Sequence, residues 1–200
     1  MLMSTSHKFI FFHIPKNAGT SVRTALNSYC DISSQYPEFI NQLTEIKKTH
    51  SLVHVKQKNV RNLVKKLKID LSEYLEFVIV REPLNRLISL YNYHGVEQGF
   101  KNFYQYAIDT AIGRKNNNVT LTRHSQLDWI NDPLTNNLTI YKLEELDKEL
   151  VLNNLTVSLT EKQNVNLSKK ISLENIRDHA IKFCLDFLSE EYEILGYKKP

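Results

Sequence analysis

The chain has 200 residues, 42% hydrophobic and 24% charged, with five glycines and five prolines, a soluble globular composition long enough for one sizeable core and too short to expect two domains. The net charge of +4 is mild: it favours an anionic ligand such as a nucleotide or an acidic sugar and does not mark a nucleic-acid binder. Cys30 and Cys184 lie far apart without CxxC or metal spacing, which reads as two structural thiols in a reducing compartment, and no stretch has the length of a transmembrane helix.

The first predicted element is a strand over residues 9–14, apolar throughout as in a parallel sheet covered on both faces. Lys8 before an apolar run has the look of a short signal peptide. The run is too brief for one, however, and passes directly into Pro15-Lys16. The segment Pro15-Lys16-Asn17-Ala18-Gly19-Thr20-Ser21 then opens a helix expected from about Thr20 to Tyr29. A helix start presents unpaired N–H groups and partial positive charge, so it suits a phosphate or sulfate. Gly19 would let the backbone approach the anion, Thr20 and Ser21 offer hydroxyls, and Lys16 supplies a compact cation. The bland alternative is a capped helix start with no ligand. The order is not that of a nucleotide kinase, GxxxxGK[ST], because here the lysine precedes the glycine.

Residues 37–48 are predicted helical, and residues 58–67 form an amphipathic helix with Val60, Leu63, Val64 and Leu67 on one side. Residues 76–80 are the next buried strand. It ends at Arg81, with Pro83 just inside a helix expected over 84–94. Arg81, and Ser89 eight residues on, could clamp one anion; Arg86 could add charge, pack on the sheet or be structural. A helix near 101–112, a strand at 138–142, a helix from about 144 to 152 and a long C-terminal helix from Ser172 to about Leu188 complete the reading. Strands alternating with helices predict an α/β fold with a mostly parallel sheet, in which ligands sit beyond the carboxyl ends of the strands. Four Asn-x-Ser/Thr sequons, at Asn118, Asn137, Asn154 and Asn166, follow from a chain rich in asparagine.

Taken together, "HIPKNAGTS" (13–21) resembles the 5′-phosphosulfate loop, and "REPLNRLISLY" (81–91) the 3′-phosphate motif, of sulfotransferases that use 3′-phosphoadenosine 5′-phosphosulfate (PAPS). The closer likeness is to the carbohydrate branch with heparan 2-O- and chondroitin-type enzymes. "THSLVHVKQKNVRNLVKKL" falls where that branch carries a catalytic histidine, "RHSQLDWI" resembles its His-x-x-Gln region, and "IYKLEELDKEL" its strand followed by Glu-x-Leu. "NVNLSKK" and "DFLSEEYEILGY" resemble its late Asn-x-Ser loop and its Asp-Phe…Gly-Tyr ending. The likeness spans nearly the whole chain, with two departures: Asn-Ala-Gly stands where Thr-Gly-Gly is commoner, and a Golgi-type membrane anchor is lacking.

The resemblance implies a single P-loop-like α/β domain over residues 1–200, working in the cytoplasm like a bacterial member of the family. It implies sulfuryl transfer from PAPS to a hydroxyl of a carbohydrate, without a metal, and with no nucleic acid or stable membrane insertion. Lys16, Asn17, Ala18, Gly19, Thr20 and Ser21 would hold the 5′-phosphosulfate, and Arg81 and Ser89 the 3′-phosphate. Lys16 would also act in catalysis, and His50 falls at the position of the general base, with His13 and His124 as competitors. His50 and His54 have zinc-helix spacing but lack the HExxH glutamate. Lys169 and Lys170 could cover the nucleotide, meet an acidic acceptor or simply be surface charge. The alternatives are a P-loop kinase, which would need magnesium and a carboxylate to hold it, and a nucleotide-binding module without catalysis.

Overall fold

The computed structural model describes residues 1–35, 37–47, 55–95, 97–116, 118, 120–130, 138–146, 148–153, 155–159 and 171–200. Their contacts gather into two compact units, Met1–Val80 with Leu127–Lys162, and Arg81–Gln126 with Gln163–Pro200. The fold is α/β, as the alternation of elements predicts.

The first unit is built on a sheet of β1 (Leu2–Ser4), β2 (Phe9–Phe12), β3 (Leu75–Val80) and β4 (Leu138–Lys142), in that spatial order. The β2–β3 and β3–β4 pairs are parallel, with Phe11 opposite Phe77 and Val78 opposite Ile140. The short β1, which periodicity did not bring out, pairs antiparallel at the edge. Among the described residues, four α-helices lie between β2 and β3 in the chain: α1 (Gly19–Leu26), α2 (Ile32–Gln35), α3 (Pro37–Lys47) and α4 (Gln57–Lys66). Every residue of β2 and the last five of β3 are buried, as in strands covered on both faces.

Phe9, Phe11, Phe77 and Ile79 pack with Val22 and Leu26 of α1, each fully buried phenylalanine contributing about 1.5–3 kcal/mol. Elsewhere Glu76 of β3 is buried and anchors α4: it accepts from Gln57 Nε2 at 2.9 Å and pairs with Arg61 Nη2 at 3.0 Å. A carboxylate so buried is tolerable only because it is paired and hydrogen-bonded.

Two sequence expectations are corrected here. The helix expected over 144–152 is a 3-10 turn, Leu143–Glu145, followed by a hairpin of β5 (Glu149–Leu152) and β6 (Leu155–Ser158). Its residues alternate between exposed and buried, and Asn153 takes a left-handed turn conformation (φ 48°). Period two therefore outweighs helix propensity, because Leu150, Leu152, Leu155 and Val157 all reach the phenylalanine core. The long C-terminal helix also breaks. Ser172 and Asn175 do form a capping box, but on a 3-10 turn, Leu173–Asn175. Ile176 is then extended, and α7 (Asp178–Phe187) starts anew, followed by α8 (Ser189–Ile194).

The second unit is helical: α5 (Pro83–Leu90), α6 (Phe103–Lys115), α7 and α8. The helix expected to run to residue 94 ends as an α-helix at Leu90 and widens to a π-helical turn over Tyr91–Gly95. Leu84, Leu87, Tyr91, Tyr106, Cys184 and Tyr192 share its core.

Burial pushes the Cys30 thiol up to about 11 and that of Cys184 up to about 12. Both are free thiols. At pH 8 neither should react with a disulfide reagent at more than about one-hundredth the rate of an unperturbed cysteine. Reaction of Cys30 should quicken about tenfold per pH unit toward 11, and denaturant should expose both; a stopped-flow thiol assay measures this.

Candidate active site

The first loop is formed by the way β2 passes into α1. After Phe12 the chain runs through His13 and Ile14 into a turn at Pro15-Lys16, and both Lys16 (φ 69°) and Ala18 (φ 56°) are left-handed. Each such residue costs about 1–2 kcal/mol unless it is glycine. Ala18 is the N-cap of α1, and it has no side chain with which to cap the helix. The first-turn N–H groups of Gly19, Thr20 and Ser21 therefore receive nothing from the usual Ser, Thr or Asp oxygen. The helix start is thus not capped by its own N-cap side chain. This leaves a turn whose amides and partial positive charge suit an oxyanion. Lys16 is half-buried, Thr20 exposed and Ser21 half-buried, so cation and hydroxyls remain within reach of solvent.

Asn17 and Gly19 have local structural work. Asn17 is buried and its Nδ2 donates to the Ile79 carbonyl at 2.8 Å, pinning the loop to β3. A Cβ at Gly19 would lie 1.8 Å from the His13 imidazole. His13 is itself buried and stacks on Phe11, with ring centroids 5.8 Å apart. The glycine is thus demanded by the histidine as well as by any anion, a pairing that sequence reading missed because His13 looked like a strand end.

Arg81 and Ser89 belong to the second unit. Arg81 is the residue after β3, half-buried, and Ser89 lies in the second turn of α5, also half-buried. Glu82 caps α5: its carboxylate accepts from Leu84 N at 3.3 Å and Asn85 N at 2.6 Å, and from the Tyr192 hydroxyl. The start of α5 therefore carries its own anion, in contrast to α1.

Arg86 is buried, and its guanidinium donates to the carbonyls of His124 at 3.0 Å and Thr122 at 3.1 Å. Burial pulls it down to about 10, still cationic at neutral pH. Of the readings open for Arg86, the structural one holds. His124 is fixed through its carbonyl by Arg86 and by Arg114 Nη2 at 3.3 Å.

Sequence reading also missed Gln126. Its side chain accepts from Arg81 N at 2.9 Å and returns a hydrogen bond to Arg81 O at 2.8 Å. The motif "RHSQ" held the clue, but the partner is 45 residues away in sequence. His50, His54, Lys169 and Lys170 lie outside the described residues. Among the described residues no helix is long and apolar enough to cross a membrane.

The site elements are thus a parallel-stranded α/β unit whose turn after β2 carries Lys16 and opens α1 with no side-chain cap. The sequence matches the Sulfotransferase family over residues 1–197, and the chain belongs to that family. Membership implies a transferase that moves a sulfuryl group to an acceptor. No significant match was found among curated proteins or among solved structures.

Two substitutions separate the constraints on the loop. Gly19→Ala should destabilise by about 1–3 kcal/mol, because the new methyl displaces a packed histidine. Ala18→Gly should gain up to about 1 kcal/mol, since relief at a left-handed position exceeds the entropy of glycine. Denaturant midpoints at constant slope read both.

Proposed function

We propose that the chain is a cytoplasmic transferase that moves the sulfuryl group of PAPS to a hydroxyl of a carbohydrate. The observation that carries the reading is α1 beginning at Ala18 without a side-chain cap, beside Lys16, in a chain of the sulfotransferase family. PAPS fits those residues: its phosphosulfate end needs N–H donors and a cation, which Gly19, Thr20, Ser21 and Lys16 offer. Asn17 and Ala18 shape the turn that presents them. Arg81 and Ser89 take the 3′-phosphate, where arginine's paired donors match phosphate oxygens. The two free cysteines agree with a reducing compartment.

When bound, PAPS supplies an activated sulfuryl group on a phosphate leaving group. Lys16 neutralises charge that builds on the bridging oxygen as the sulfur–oxygen bond lengthens. The acceptor hydroxyl attacks in line and must give up its proton, and His50 takes it. An imidazole is the side chain best suited to accept a proton near neutral pH. His50→Ala should then lower kcat by a factor of about 100 or more and leave nucleotide affinity intact. His13→Ala would instead disturb the loop and both constants.

A P-loop kinase is disfavoured by the strand ends. β2 closes on Phe12-His13, β3 on Val80-Arg81 and β4 on Tyr141-Lys142, so none of the three ends in a carboxylate for magnesium. Calorimetry with 3′,5′-ADP and with ATP, each with and without magnesium, tests the choice. The expected result is metal-independent binding of 3′,5′-ADP, weakened at least about tenfold, or 1.4 kcal/mol, by Lys16→Ala or Arg81→Ala. Binding of magnesium-ATP alone would overturn the reading in favour of the kinase.

A further inference from the structure

We infer that Gln126 and Glu191 are positioning residues that aim Arg81 at the 3′-phosphate of the nucleotide. The inference rests on the reading of Arg81 as that phosphate's ligand. Arg81 stands between the last residue of β3 and Glu82, the N-cap of α5. Its backbone N–H and carbonyl are both held by one side chain, the Gln126 carboxamide, at 2.9 and 2.8 Å. Gln126 has no solvent exposure. Its Nε2 and its own backbone N–H donate to Glu191 Oε2 at 3.1 and 3.3 Å. Glu191, on α8, is fixed in turn by Arg114 Nη1 of α6 at 2.7 Å.

The arrangement is specific to residue type. Holding both polar groups of one peptide residue needs an acceptor and a donor on one planar group, which glutamine has and glutamate at neutral pH lacks. The carboxylate of Glu191 then decides which end of the carboxamide faces Arg81 N–H. It draws the NH2 group toward itself and toward Arg81 O, and leaves the oxygen for the N–H. Beyond Arg81, Glu82 is tied to α5 and to Tyr192 of α8. The Arg81 side chain therefore starts from an anchored piece of backbone. Bidentate recognition of a phosphate depends on that origin, because an ångström of error at Cα is carried to the guanidinium.

A purely structural role would serve only to satisfy buried backbone groups, and it predicts a different pattern of losses. The test is a double-mutant cycle with Gln126→Leu and Arg81→Ala, titrating the full chain with 3′,5′-ADP and with 5′-AMP, which lacks the 3′-phosphate. We expect Gln126→Leu to cut the preference for 3′,5′-ADP about tenfold while 5′-AMP affinity stays unchanged. In the Arg81→Ala background it should cost nothing further, and exchange of the Arg81 amide in the single variant should quicken. Equal weakening of both ligands, or an undiminished loss in the Arg81→Ala background, would overturn the inference. If Gln126→Leu does not fold, Glu191→Gln, which keeps the shape and frees the carboxamide to turn, should show the same selective loss, and an unchanged preference would overturn it. A wild-type chain without preference for 3′,5′-ADP would refute the Arg81 reading itself, and shows before any variant is made.

Discussion

Between the end of β2 at Phe12 and the first residue of α1 at Gly19, six residues must carry the chain from strand to helix, and two of them are left-handed without being glycine. The strain is held by the surroundings: Asn17 is bonded to the Ile79 carbonyl, and the His13 ring occupies the space beside Gly19. The consequence is a helix that begins with no side-chain oxygen at its N-cap. A helix start left in that condition, with a lysine one residue before Asn17, has the chemistry of an oxyanion receptor. The family membership and the proposed cofactor both bear on this one turn.

The second unit solves a different problem, that of burying arginines. Arg86, Arg114 and Arg123 each spend their donors on fixed acceptors: the carbonyls of residues 122–124, Glu191, and Thr110 with Asp109. Satisfied donors are what make a buried guanidinium tolerable, and removing a partner from such a pair is far more costly than never having built it. The segment carrying Arg123, His124 and Gln126 is thereby fastened to α5, α6 and α8. Arg81 reaches this fastening through its backbone N–H and carbonyl, both held by Gln126. The aromatic rings of Phe100 and Tyr106 face Arg123 at 5.4 and 4.7 Å, adding apolar cover to the same region.

The two central strands were legible because they are almost wholly apolar, "FIFF" without exception and "EFVIV" but for Glu76, and Pro83 marks the helix that follows. The helix α4 was legible from the spacing of Val60, Leu63 and Val64. "EELDKELVL" misled because Glu, Leu and Lys favour helices, whereas partners elsewhere in the chain reward alternation over its last four residues. At the candidate site, the order of Lys16 and Gly19 in the loop is plain in the sequence. The His13–Gly19 contact, the Glu82 cap and the Arg81–Gln126–Glu191 chain could not be read, because each depends on packing or on partners up to 110 residues apart.

The central claim is that the uncapped turn at the start of α1 is where the sulfate-bearing end of the nucleotide is received. Backbone amide chemical shifts during titration with 3′,5′-ADP address it residue by residue. The account predicts large downfield shifts of the Gly19, Thr20 and Ser21 amide protons, saturating with the calorimetric affinity and lost in Lys16→Ala. Saturable binding that leaves those three amides unmoved would contradict it, because the ligand would then be held by other donors.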